Sequence, residues 1–215
     1  RDIDIPPVIE EWDTIPVPSC WQTQGYENPN YTNINYPFPC AQPYVPDDNP
    51  CGVYERDFEL ENLWGRVYFV LEGVSSCAYV RVNGREAGFT QGSHLQAELD
   101  MTPYVKQGKN TLRVTVLKWC CGSYLEDQDM WWLCGIYREV YLFAEPKACL
   151  RDFYFRTEPD ADFRDWTVRL DGYLHLYAPT KEDLTLCAAL YRDGQKVYDP
   201  VSYTHLRAHE TKANL

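Results

Sequence analysis

Between Gly122 and Val140 the chain reads GSYLEDQDMWWLCGIYREV. Glu126, Asp127 and Asp129 crowd together there, and Met130, Trp131 and Trp132 follow at once. Carboxylates so close in sequence accept paired hydrogen bonds from the vicinal hydroxyls of a sugar. Their oxygens are also the ligands that a hard cation such as sodium or magnesium takes. Tryptophan supplies a flat apolar face with a polar edge, suited to the C–H face of a sugar ring. The residues alone leave a second reading open, in which the acids cap the loop backbone and the tryptophans fill the edge of a core.

A loop of this kind needs a frame to hold it. The chain has 215 residues, enough for one full domain and part of a second. Hydrophobic residues make up 45% and aromatics 15%, with 17 Tyr and 7 Trp, which supports a core and a stacking surface. The net charge is −12, from 32 acids against 20 bases. That balance argues against phosphate-backbone binding and against an anionic membrane surface, so neither nucleic acid nor membrane is an expected partner. No run of 18 apolar residues offers a spanning helix. The opening RDIDIPPVIEEW has no Met and no signal-peptide pattern, which suggests a cut piece. Nine cysteines are present, none spaced C-x-x-C and two adjacent at Cys120 and Cys121. Neither a zinc ribbon nor a disulfide framework fits, and free thiols in a reducing cytoplasm are expected.

The elements that must position the loop read as strands. VYERDFEL (Val53–Leu60) alternates Tyr54, Arg56, Phe58 and Leu60 against Val53, Glu55, Asp57 and Glu59, as a half-exposed strand does. RVYFVLEGV is a near-continuous apolar run, as in a buried strand. AYVRVNGREAGF is a hairpin around Asn83-Gly84, a pair that supplies the positive φ values of a type I′ turn. NTLRVTVLKW puts Leu112, Val114 and Val116 on one face, and REVYLFAEP is a further strand stopped at Pro146. MTPYVKQGKN carries the signals of one helical turn, with Thr102 as cap and Pro103 first. After Pro146 new strands begin in DFYFRTEP, WTVRLDGYLHLY and LTLCAALYRDGQKVYD, the last with an Asp193-Gly194 turn. Short strands with turn signals predict an all-β sandwich or barrel, and three or so cannot close a second sandwich. The ending VSYTHLRAHETKANL has no alternation and no expected sheet partner. His205 and His209 stand four apart, as two metal ligands on a helix would, but no Glu completes the motif and no third ligand is near. The stretch resembles translated sequencing-adaptor read-through, so residues 202–215 are expected to be foreign.

The Gly122 segment resembles a signature of the N-terminal sugar-binding domain of family 2 glycoside hydrolases, among them the bacterial β-galactosidases of the lactose-operon type. So do VPSCWQTQGYENPNYTNINYPFP, NPCGVYERDFEL and VNGREAGFTQGSHLQAELDMTPYVKQGKNTLRVTVLKW, in family order from Ile15 to Tyr198. The resemblance implies a jelly-roll, galactose-binding-like sandwich over residues 1–146, its start incomplete. It implies a truncated immunoglobulin-like sandwich over residues 147–201. The family then places a (β/α)₈ barrel whose two Glu residues hydrolyse terminal β-galactosides with retention. The chain stops before that barrel, so it carries no catalytic residue and is expected to be inactive alone.

Two positions match family site residues. Asn33, in YTN, is expected to contact the sugar. Asp129, in EDQDMW, is expected to contact a galactosyl hydroxyl and to help ligate sodium with partners outside this chain. The tryptophans of the segment are expected to pack against the barrel. Trp132 stands where a basic residue is expected. Cys121 stands where some members have an Asp that holds a structural magnesium, which puts that metal in doubt, while Gln91 keeps a matching partner position. The family also implies a homo-oligomer. A stand-alone carbohydrate-binding module and a sister β-glucuronidase or β-mannosidase are the alternatives. The half-built second sandwich and the odd ends favour a β-galactosidase fragment.

Overall fold

Leu112, Val114 and Val116 line the inner face of a ten-residue strand, Gly108–Leu117, with Val114 and Val116 buried. The computed structural model describes residue 9 and residues 11–63, 65–179, 184, 187, 189–198 and 213–214. Two compact units emerge. One holds residues 1–63 and 67–143, and the other holds residues 64–66 and 144–215. The described residues contain no α-helix, so the all-β expectation holds. None of their helices is long and apolar enough to cross a membrane, which says nothing of a β-barrel.

In chain order the strands up to Pro146 are β1 Asn30–Thr32, β2 Cys51–Leu60, β3 Gly65–Leu71, β4 Val74–Ser75, β5 Cys77–Val82 and β6 Arg85–Gln91. They continue as β7 Ala97–Asp100, β8 Gly108–Leu117, β9 Met130–Trp132, β10 Gly135–Ile136 and β11 Val140–Pro146. One sheet has the order β2-β8-β5-β6 and a second has β11-β3-β7. Two short ribbons, β1-β9 and β10-β4, complete the unit. The core lies between the two larger sheets. Ala78, Val80 and Val82 from β5, with Val114 and Val116 from β8, share one cluster with Val67, Phe69 and Leu71 from β3. This is the sandwich expected from the alternation, and each such buried side chain stabilises it by about 1.5–3 kcal/mol.

The turns follow their residues. Asn83 at φ 51° and Gly84 at φ 78° join β5 to β6, which is the positive-φ pair a type I′ turn requires. The Thr102 cap is a correction. The Met101–Val105 stretch makes one turn, with Tyr104 and Val105 both donating to the Met101 carbonyl. Asp100 Oδ1 is the side-chain acceptor at the start of the turn, taking the Thr102 N–H at 3.0 Å. The Thr102 hydroxyl instead accepts the Val67 N–H at 3.0 Å, because β3 brings that donor within reach.

The second unit contains β12 Ala148–Pro159, β13 Trp166–Leu176, β14 Leu190–Arg192, β15 Gln195–Tyr198 and β16 Ala213–Asn214. β14 and β15 form a hairpin through Asp193 and Gly194, both at positive φ. The β12–β13 ribbon pairs Phe155 with Leu170, Thr157 with Val168 and Pro159 with Trp166 on one face. The other face carries the Arg156–Asp171 and Arg169–Glu158 ion pairs. Phe155, Trp166 and Val168 on the apolar face are exposed. Residues 202–212, with His205 and His209, lie outside the described residues. Ala213 and Asn214 pair with Gly172 and Asp171, so the expectation that the ending lacks a sheet partner fails at those two residues.

A half-buried ion pair fixes the 3-10 turn Trp21–Gln24 to the end of β8. Glu27 accepts hydrogen bonds from Lys118 Nζ, from Trp21 Nε1 at 2.9 Å and from Gln22 Nε2 at 2.9 Å. Burial would push the Glu27 carboxyl up, but the bonds from Lys118, Trp21 and Gln22 outweigh it and hold it below the usual carboxylate value. A carboxyl lowered by folding stabilises above its unfolded pKa, and that contribution disappears as pH falls through its folded pKa. The Lys118 side chain is only 5% exposed, so removing its partner strands a buried cation. Glu27→Gln is expected to cost about 2–3 kcal/mol at about pH 7 and to flatten the acid limb of the stability curve. Urea unfolding of both proteins from about pH 7 to about pH 3 measures this. Equal stabilities across that range would show that the cluster contributes nothing.

Candidate functional site

The Gly122–Val140 segment is held at three places, and each uses residues the sequence left ambiguous. At its start, Cys120 caps the 3-10 turn Cys121–Leu125, and Ser123 returns a bond to the Cys120 N–H at 3.1 Å. In the middle, both Glu126 oxygens are taken by Ser93. Oε1 accepts its backbone N–H and Oε2 its hydroxyl, each at 2.6 Å. Towards the end, the Tyr137 hydroxyl donates to the Ser93 carbonyl. The Ser19 N–H donates to the Ile136 carbonyl at 2.8 Å. Gly135 permits that approach. It sits at φ +129°, and a Cβ there would lie 2.8 Å from the Ser19 oxygen.

Most of the segment's aromatic content turns inward. Tyr124 and Trp132 form a small core with Phe38 and Trp119. Trp119 meets Trp132 edge-on at 5.3 Å and Phe38 at 4.9 Å, the geometry that favours ring pairs. The Tyr124 hydroxyl donates to the Tyr44 carbonyl at 2.6 Å, and the Trp132 indole N–H donates to the Thr32 hydroxyl at 2.7 Å. Trp132 is therefore an anchor within its own domain. The expectation that the tryptophans pack against a further barrel does not hold for it.

What stays outside is narrower. β1 and β9 pair Asn30 with Trp132, Tyr31 with Trp131 and Thr32 with Met130. Asn33 directly follows β1 and Asp129 directly precedes β9, beyond the Thr32–Met130 pair, so the fold brings both predicted site positions to one end of the ribbon. Both are exposed. Tyr31 and Trp131, 51% and 59% exposed, sit with ring centroids 5.5 Å apart at 47°. The Tyr31 hydroxyl donates to Asp129 Oδ1, and the carboxylate pushes the Tyr31 phenol pKa up. The result is a carboxylate and two ring faces together, with Asn33 at the same end of the ribbon. Sequence reasoning missed Tyr31 and the outward role of Trp131. Each ring stands two positions from its polar neighbour, the spacing that puts side chains on one face of an extended chain, and that signal would have found them.

The three acids thus have three fates. Glu126 is spent on Ser93, and Asp129 faces outward. Asp127 is half-buried, with Oδ1 shut from solvent and without a hydrogen-bond partner among the described residues. Asp127 is therefore neither an open surface acid nor, through Oδ1, a cap of the loop backbone. No group of three or more His, Cys, Asp or Glu side chains among the described residues could hold a metal alone. Cys121 and Gln91 do meet, with the thiol donating to Gln91 Oε1 at 3.5 Å. A thiol and an amide make a poor pair for magnesium, which takes hard oxygen ligands.

Residues 5–146 match the family described as glycosyl hydrolases family 2, sugar binding domain. The chain is 48% identical over 142 residues to a β-galactosidase of Vibrio vulnificus strain CMCP6, covering 65% of this chain and 14% of that protein. A β-galactosidase of Yersinia pestis bv. Antiqua strain Angola gives the same identity and coverage. The chain therefore spans about a seventh of these curated relatives. Among solved structures, a β-glucuronidase of Bacteroides uniformis superposes with a TM-score of 0.70 at 23% identity, over 95% of this chain and 24% of that one. A β-glycosidase of Bacteroides vulgatus gives 0.61 at 21%, over 87% and 23%. At those identities the likeness speaks to the fold alone.

Proposed function

Because the chain belongs to family 2 of the glycosyl hydrolases through its sugar-binding domain, we propose that it is the N-terminal part of a β-galactosidase that hydrolyses terminal β-galactosides with retention. The observation that carries this is the convergence of Asn33 and Asp129 at the exposed end of the β1–β9 ribbon, beside Tyr31 and Trp131. Asp129 accepts from a galactosyl hydroxyl, and the Asn33 amide donates and accepts on the same sugar. The two rings wall the apolar face of the ligand. The 48% identity to proteins named β-galactosidases supports the galactoside reading over a glucuronide or a mannoside.

Residues 1–146 act as the jelly-roll sugar-binding domain. Residues 147–201 act as part of an immunoglobulin-like sandwich, a division supported by the uncovered apolar face of β12–β13. Sodium is the expected cation of the complete enzyme, and when bound it supplies a hard positive centre that orders oxygens around the sugar. The exposed Asp129 carboxylate suits it, with further ligands from outside this chain. The Cys121–Gln91 pair does not suit magnesium. A homo-oligomer working in the cytoplasm on a galactoside completes the proposal.

A stand-alone carbohydrate-binding module is the competing class, and calorimetry of the 215-residue chain with galactose separates the two. One carboxylate, one amide and two partly open rings enclose little of a sugar, so no saturable binding is expected below about 10 mM. Saturation in the micromolar range, lost in Trp131→Ala, would favour the module.

A further inference from the structure

Four of the nine cysteines, Cys51, Cys77, Cys120 and Cys121, lie at one end of the β2-β8-β5-β6 sheet. Cys77 opens β5, where it pairs with Leu117 of β8 and with Gln91 of β6. Cys120 follows β8 by three residues and caps the turn that begins the Gly122–Val140 segment. Cys77 and Cys120 are 1% and 8% exposed, and the nearness of the Cys120 thiol, together with burial, pushes the Cys77 thiol up. The Cys120 sulfur also reaches the Ser76 carbonyl at 3.8 Å, and a Cβ on Gly122 would lie 3.4 Å from it. The sulfur is thus enclosed by packed backbone and lies against the peptide bond that leads into Cys77. Cys121, next in sequence, faces outward onto Gln91 instead.

We propose that Cys77 and Cys120 are an oxidisable dithiol, a modification site at which a small hydroperoxide closes a reversible disulfide between the sheet and the start of the Gly122–Val140 segment. One sulfur, as its thiolate, attacks the outer oxygen of ROOH. The O–O bond breaks, and the sulfur becomes a sulfenic acid while RO⁻ takes a proton to leave as ROH. The second sulfur, giving up its own proton, attacks the sulfenic sulfur, and the hydroxyl leaves as water. Two thiols are oxidised by two electrons and the peroxide is reduced, so the balance is two thiols plus ROOH to one disulfide, ROH and water. Burial selects a small oxidant, because a bulky disulfide cannot line up on a sulfur this enclosed. The contact also favours closure over further oxidation, since the resolving thiol is already beside the sulfenic acid. The bond would pin the cap of the turn that leads to Glu126 and Asp129. The dithiol stands whether or not the sugar site does.

The test treats the reduced 215-residue chain with hydrogen peroxide, blocks remaining thiols by alkylation, digests it, and identifies cross-linked peptides by mass spectrometry. Expected is a Cys77–Cys120 bridge in most molecules before any other pair, reversed by dithiothreitol and kept in Cys121→Ser. The melting temperature should rise by roughly 5–15 °C on oxidation and fall back on reduction. The same oxidation in about 6 M guanidinium chloride should lose the selectivity, since it removes the fold that brings the sulfurs together. Bridges to Cys121 as often as to Cys120 would overturn the proposal. So would Cys120 carried to sulfinic acid beside a reduced Cys77, or the same selectivity in the unfolded chain.

Discussion

The 215-residue chain is expected to turn over no aryl β-galactoside. Retaining hydrolysis needs two carboxyl groups about 5–5.5 Å apart, one to protonate the leaving oxygen and one to attack the anomeric carbon. The acids of the candidate segment cannot fill those roles. Both Glu126 oxygens are held by Ser93, so neither is free to attack or to exchange a proton with a substrate. One Asp127 oxygen is closed off from solvent. Asp129 is exposed but faces the Tyr31 hydroxyl, not a second carboxyl. Enzymes of this kind speed their reactions by at least about 10⁶-fold, so the gap between this chain and a complete family member should span at least that factor. The assay uses chain purified from a host lacking its own β-galactosidase. Turnover that follows the chain through purification and persists in Asp129→Ala would mean that it carries catalytic machinery of its own.

The strands were legible because their signals are local. Alternation along β8 set the inner face of Leu112, Val114 and Val116, and Asn83-Gly84 set the hairpin turn. Family motifs mark the candidate site only at single positions, Asn33 and Asp129, which the fold brings to one end of the β1–β9 ribbon. The partners lay far off in sequence and left no local trace. Glu126 is spent on Ser93, 33 positions upstream, and Trp132 is anchored on Thr32, 100 positions upstream. Nothing in EDQDMWW distinguishes a carboxylate that will meet a backbone N–H from one that will meet a ligand. The Thr102 cap failed for the same reason. A local motif offered the hydroxyl one partner, and β3 supplied another across 35 positions. Tyr31 and Trp131 were the missed opportunity, since period-2 spacing from Asn33 and Asp129 was already in the sequence.

Asp129→Asn, in an enzyme completed with the barrel of a relative, is expected to lower kcat/KM by tenfold to a hundredfold or more. The amide keeps the shape of the carboxylate but loses its charge. It replaces one strong acceptor with a donor facing the sugar, and it weakens a hard cation site. A hydrogen bond to a charged group contributes about 1.5–3 kcal/mol, which sets the size of the loss. Asp127→Asn should cost far less. That residue is half-buried, and an amide relieves an unpartnered carboxylate oxygen without touching the exposed face. The deciding measurement is therefore kcat/KM for the unmodified, Asp129→Asn and Asp127→Asn forms of this grafted enzyme across a range of sodium concentrations. Expected is a large loss confined to Asp129→Asn and partly recovered by raised sodium. Equal losses at the two positions, or a silent Asp129→Asn, would contradict the placement of Asp129 in the sugar and cation site and leave the segment as scaffold.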